Sequence, residues 1–149
     1  VAPVVEASRV PVVTGGGAPP PEGGAPLLLI DDEPIVLRLL ATVLESEWDV
    51  VSAADADEAL RLLGSRPFQR IVCDLMLPGM SGMELADRIA GIDPELRRRM
   101  VFLTGGAVTA EAQAFLSRED VVHLMKPVDI TRLRAVLREP VPAPAAGAP

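Results

Sequence analysis

Ile71-Val72-Cys73-Asp74-Leu75 runs straight into Met76-Leu77-Pro78-Gly79, so an apolar segment ends on a carboxylate and then on a turn. A short continuous run of this kind reads as a buried strand of a parallel sheet. Side chains at the carboxyl end of such a strand face the crevice where ligands bind. Asp74 is therefore aimed at a site rather than at bulk water. Leu27-Leu28-Leu29-Ile30 makes the same move into Asp31-Asp32-Glu33. If the two strands are neighbours, three aspartates converge on one pocket. Mutually repelling carboxylates are costly to hold together unless a hard cation sits among them, and oxygen ligands with room for water and phosphate suit Mg2+.

Outward from these two strands the signals alternate. Pro34 to Ser46 reads as a helix with Ile35, Leu39, Thr42 and Val43 on one stripe and Pro34 in its first turn. Trp48 to Ser52 is a weaker strand, suited to a sheet edge. Asp55 followed by Glu58 resembles a capping box for a helix reaching about Leu63 and stopping near Gly64. Gln69 to Cys73 is a strand, Gly82 to Ala90 a helix, Met100 to Leu103 a strand, and Thr109 to Leu116 a helix. Val121 to Leu124 is the last strand and Val128 to Arg138 the last helix. Short β-branched strands separated by helices predict a three-layer α/β domain with a parallel sheet covered on both faces and right-handed crossovers.

Residues 1–26 are rich in proline and glycine with almost no charge and read as a linker; residues 140–149 repeat that composition as a tail. The folded domain expected between them is 27–139. The chain has 149 residues, a formal charge of −7 and 3% aromatics without tyrosine, which argues against a nucleic-acid-binding face. Cys73 is the single cysteine and has no internal disulfide partner, which fits a reducing cytoplasm. No apolar stretch approaches the roughly 18 residues of a membrane span, and no signal peptide is visible, so no direct membrane contact is expected. A chain opening at Val1 without methionine fits a piece of something longer.

Two further polar residues end apolar strands: Thr104 after Val101-Phe102-Leu103, and Lys126 after Val121-Val122-His123-Leu124-Met125. With them the chain resembles the receiver domain of two-component response regulators. The motifs that carry the resemblance are Ile30-Asp31-Asp32-Glu33, Asp74-Leu75-Met76-Leu77-Pro78-Gly79-Met80-Ser81-Gly82, Thr104-Gly105 and Lys126-Pro127. Each is weak alone; in this order and on these elements they are specific, and they cover essentially the whole folded part. The resemblance implies a flavodoxin-like, doubly wound sheet of five parallel strands in the order 2-1-3-4-5.

It further implies that Asp74 accepts a phosphoryl group from a phosphohistidine on a histidine kinase or histidine phosphotransfer partner, with a downstream protein target. An ionised carboxylate needs no general base for that attack. Asp32 would bind Mg2+ directly, Asp31 mostly through water, and the Met76 backbone carbonyl would join Asp74 as a further ligand. Lys126 would pair with Asp74 at rest and with a phosphoryl oxygen afterwards, and Thr104 would move onto another phosphoryl oxygen. Pro127 is expected to follow a cis peptide bond. Two positions depart from the family's commonest pattern: His123 stands where an aromatic switch residue is usual, and Gly105-Gly106 where a small residue such as alanine is usual. Met76 and Gly106 offer no side chain that orients water, which predicts a long-lived acyl phosphate.

Asp31, Asp32 and Glu33 favour a following helix through its dipole whether or not they bind metal. His123 reads as a packed strand residue with a place on the switch surface, Cys73 as a small apolar residue, and Arg97-Arg98-Arg99 as a solvated connection. Met76, Met80 and Met83 read as packing for the loop and the helix after it. The alternative function is a phosphorylation-independent adaptor on the same fold. A phosphatase of the haloacid-dehalogenase type would want an aspartate at position 76, where methionine stands. The linker and short tail suggest the C-terminal receiver of a hybrid sensor kinase, with a stand-alone receiver as the second reading.

Overall fold

In the computed structural model, residues 24–106 and 109–139 are described. The stretches read as linker and tail fall outside the described residues, except Gly24, Ala25 and Pro26. The strands are β1 (Ala25–Ile30), β2 (Trp48–Ala53), β3 (Arg70–Asp74), β4 (Met100–Thr104) and β5 (Val122–Met125). They form one parallel sheet in the order β2-β1-β3-β4-β5. The expected sheet and its order are therefore present, with β2 at an edge. Strand β1 begins at Ala25, which pairs with Trp48, two residues earlier than the apolar run alone indicates.

Helices α1 (Pro34–Leu44), α2 (Ala56–Ser65), α3 (Gly82–Ile92), α4 (Pro94–Arg98), α5 (Ala110–Leu116) and α6 (Ile130–Arg138) cover the two faces. Strand side chains alternate between faces. Leu27, Leu29, Val72, Val101 and Leu103 pack with Leu40 and Leu44 of α1 and Leu133, Val136 and Leu137 of α6. Leu28, Ile30, Ile71, Cys73 and Phe102 pack on the other face with Ala59 of α2, Leu85 and Ile89 of α3 and Phe115 of α5. Phe102 and Phe115 meet edge to face at 5.1 Å. Strands β3 and β4, buried along their whole length, form the centre that carries Asp74 and Thr104.

Several sequence expectations are corrected here. In α1 the stripe of Ile35 and Leu39 points outward, 75% and 57% exposed, while Leu40 and Leu44 are buried. The helix is apolar nearly all round at this point, so spacing alone permits two stripes, and the sheet selects the one carrying Leu40 and Leu44. The arginine run is not a solvated connection. Asp93 caps a short helix, α4, by accepting from Glu95 and Leu96 N–H, and Arg97 is buried. Its guanidinium donates to the Asp120 backbone oxygen at 2.8 Å and lies 2.9 Å from the Asp120 carboxylate. His123 is not packed but exposed on β5, and Met76 is 60% exposed, whereas Met80 and Met83 do pack against the core.

Candidate phosphoacceptor site

In a parallel sheet all strands end at the same edge, so the acids after β1, the acid ending β3, the hydroxyl ending β4 and the lysine after β5 meet there. Ligand oxygens of Asp31, Asp32 and Asp74 all lie within 4.8 Å of one another. Asp31 and Asp74 are buried and Asp32 is exposed, so the cluster opens to solvent on the Asp32 side. Two backbone amides fix the buried carboxylates: Glu33 N–H donates to Asp31 Oδ1 at 2.9 Å, and Met76 N–H donates to Asp74 Oδ1 at 3.1 Å.

Lys126 reaches into the cluster, its Nζ 3.1 Å from Asp74 Oδ2 and 3.3 Å from Asp31 Oδ2, with Glu33 Oε1 at 3.9 Å. It is the one lysine of the chain, among thirteen arginines. A compact ammonium suits a point between two carboxylates better than a planar guanidinium does. Its backbone is held by a hydrogen bond from Lys126 N–H to the Thr104 carbonyl at 2.7 Å, and the Lys126-Pro127 peptide is cis, as the resemblance implied. Thr104 is buried, and its Oγ1 has no hydrogen-bond partner. A hydroxyl left so at a strand end beside the carboxylates is ready for an oxygen that enters the pocket.

The loop after β3 is shaped by two glycines. Gly79 has φ +78, a left-handed turn that glycine adopts without strain. Gly82 opens α3 so close to the strand that a Cβ would lie 2.8 Å from the Asp74 carbonyl and 2.9 Å from Leu75 Cα. Ser81 and Glu84 form a capping box there, a spacing that marks the start of α3 in the sequence itself.

The electrostatics follow from burial. Desolvation, with the neighbouring Asp31 charge, pushes the Asp74 carboxyl above the usual carboxylate range, although the Met76 amide and Lys126 pull the other way. Burial works to lower the Lys126 ammonium, but its bonds to Asp74 and Asp31 outweigh that and raise it above the ordinary lysine value. The Cys73 thiol is pushed far up by burial and by both acids, which leaves it an inert core group.

The donor set is all oxygen and carries three carboxylates against one ammonium, the chemistry that a small hard cation balances. The family model for the response regulator receiver domain matches residues 27–138. The chain belongs to the response regulator receiver family. Receivers similar to it include the response regulator receiver protein CpdR of Brucella abortus, 32% identical over 97 residues, covering 64% of this chain and 79% of CpdR. The response regulator protein PilR of Pseudomonas aeruginosa is 34% identical over 106 residues, covering 70% of this chain but 23% of PilR. This receiver thus spans under a quarter of that longer regulator. Among solved structures, the response regulator protein TrrA of Thermotoga maritima, in complex with Mg(2+)-BeF, matches with a TM-score of 0.63 and 25% identity. That match covers 74% of this chain and 94% of TrrA.

Proposed function

We propose that this receiver takes a phosphoryl group from a phosphohistidine partner onto Asp74, in the presence of Mg2+, and passes the change to its surface. The carrying observation is the Asp74 carboxylate, with Lys126 at 3.1 Å and the oxygens of Asp31 and Asp32 within 4.8 Å. Asp31, Asp32 and Asp74 would hold Mg2+, with the Met76 backbone carbonyl as the further ligand the resemblance implies. When bound, the ion offsets repulsion between the carboxylate and the incoming phosphoryl oxygens.

The chain's own residues account for the rest. Met76 N–H holds Asp74 Oδ1, and Oδ2, paired with Lys126 at rest, is the oxygen that attacks phosphorus. An O–P bond forms as the P–N bond to the imidazole breaks, and the imidazole leaves with the proton it carries. A carboxylate raised by burial is a more basic nucleophile than a solvated one, and it stays ionised because Lys126 is beside it. Lys126 then follows the charge onto a phosphoryl oxygen. Thr104 Oγ1, unpartnered at rest, donates to another, and its movement shifts β5 through the Lys126 N–H to Thr104 bond. His123, exposed on β5, lies on the surface that would register that shift.

Exposed apolar side chains, Ile35 and Leu39 of α1 with Met76 and Met125, support docking of a protein donor. In this role the receiver contacts no nucleic acid and works in the cytoplasm with its partner; no helix among the described residues is long and apolar enough to cross a membrane. Self-catalysed loss of the phosphoryl group belongs to the same reading. Beryllium fluoride with Mg2+ is the test: amide NMR shifts are expected at Asp74, Thr104, Lys126 and along β5, and none in Asp74→Asn. Equal shifts without Mg2+, or shifts that survive in Asp74→Asn, would contradict it.

A further inference from the structure

At the end of the sheet where the strands begin, residues of α2, α3 and α4 and the segments leading into β3 and β4 line a groove of about 330 Å³. Its floor is apolar: Leu63 of α2, Phe68 ahead of β3, Ile89 of α3 and Leu96 of α4. Ile92 also lines it and is 73% exposed. Two arginines, Arg66 and Arg99, stand beside that floor. The Arg66 guanidinium lies 5.2 Å from the Phe68 ring centre and 3.0 Å from Asp49, and Arg99 approaches Glu95 only at 3.8 Å. The acid in the lining, Asp93, is already spent on capping α4 through the Glu95 and Leu96 N–H groups. An apolar floor with two guanidiniums beside it complements an apolar segment that carries one carboxylate.

The chain enters the domain at this groove. Gln69, part of the lining, donates its backbone N–H to the Pro26 carbonyl at 2.8 Å. Ahead of Pro26 the sequence reads Pro19-Pro20-Pro21-Glu22-Gly23-Gly24-Ala25, and Glu22 is the single acid between Glu6 and Asp31. From Pro26 back to Glu22 an extended chain reaches up to about 14 Å. The glycine pair between them permits the reversal that would bring Glu22 back over the groove. Consecutive prolines prefer the extended polyproline conformation, which docks on apolar grooves at little cost in chain entropy.

We propose that this groove is the seat of the chain's own segment 19–22, with the prolines on the apolar floor and the Glu22 carboxylate against Arg66 and Arg99. A groove this small holds a free peptide weakly, but a tether of a few residues gives an effective concentration in the millimolar range. That favours the segment already attached at Pro26 over a partner arriving from solution. The seat lies at the start of β3 and Asp74 at its end, about 13 Å further along the strand. The docked segment therefore leaves the Asp74 edge open, and its docking does not depend on the chemistry of Asp74.

Amide NMR of the full chain at low salt tests this against a variant combining Pro19→Ser, Pro20→Ser, Pro21→Ser and Glu22→Ser. These changes lie outside the sheet and the core, so the fold is retained. Shift differences are expected at Phe68, Ile92, Leu96 and Arg99, with none at Asp74, Thr104 or Lys126. Differences confined to Gly24 and Ala25, the nearest described neighbours of the changed residues, would overturn the proposal. Groove differences that fade on dilution would also overturn it, because the occupant would then be the segment of a second copy.

A protease that cleaves after glutamate gives a second readout, since Glu6 and Glu22 lie in the same segment and Glu6 serves as the internal standard. In the wild type at low salt, cleavage after Glu22 should be slow relative to Glu6. The ratio should rise several-fold in Ile92→Asp, at an exposed position where the new acid repels Glu22, in Arg66→Gln, and at high salt. A ratio that is the same in the wild type, in both variants and at both salt concentrations would overturn the seat.

Discussion

Lys126 bonds to two carboxylates that would otherwise face each other uncompensated, so in metal-free protein it does part of the work that Mg2+ would do. Lys126→Ala should lower the melting temperature without metal, and Mg2+ should then raise it by more than in the wild type. An equal or smaller Mg2+ shift in thermal unfolding would place the metal elsewhere. Because this is the chain's one lysine, its ε-carbon can be read by NMR without overlap from another side chain. In metal-free buffer it should titrate above an ordinary lysine, and Asp74→Asn should bring the titration down. The sign for stability follows: a raised lysine contributes in full below its unfolded value and loses that contribution as pH rises through the folded one.

At the scale of elements, the acids and the lysine were legible because each ends an apolar run, and the burial of α1 was not. Its residues are apolar on two sides, so Ile35 and Leu39 compete with Leu40 and Leu44 until the sheet is known. Leu44→Ala should cost about 2 to 5 kcal/mol in chemical denaturation. Leu39→Ala should stay within about 0.5 kcal/mol. Helix α4 is not legible in the sequence because five residues carry too little periodicity, although Asp93-Pro94 supplies a cap and a first-turn proline. The Arg97 contact to Asp120 joins residues 23 apart in sequence, which no local pattern encodes.

That contact also sets a pH dependence. Burial works to raise Asp120, but Arg118 and Arg97 outweigh it and hold its carboxyl below the usual range. Such an acid stabilises the fold above its unfolded pKa, and the gain disappears as pH falls through the folded value. Asp120→Asn should therefore be less stable than the wild type at neutral pH, with the gap closing in strong acid. A gap that persists unchanged at low pH would mean that the charge is not responsible.

Across the whole molecule, the sheet order and the assembly of the pocket were legible because buried strands announce themselves and their ends carry the chemistry. The outward turn of His123 and Met76 was not legible, since a β-strand edge and a loop rim depend on what lies beside them. Trp48 opens β2 at the end of the sheet away from Asp74 and packs with the α1 and α6 face. Mg2+ should accordingly leave its emission almost unchanged while thermal stability rises.

The central claim is that Asp74 accepts a phosphoryl group, and intact-mass spectrometry after incubation with Mg2+ and a small phosphodonor tests it most directly. The account predicts a gain of one phosphoryl group in the wild type, lost in Asp74→Asn and lost when Mg2+ is chelated. A wild type that gains no mass under conditions that label another receiver, or an Asp74→Asn variant that gains as much, would contradict it and favour a receiver fold used for constitutive binding.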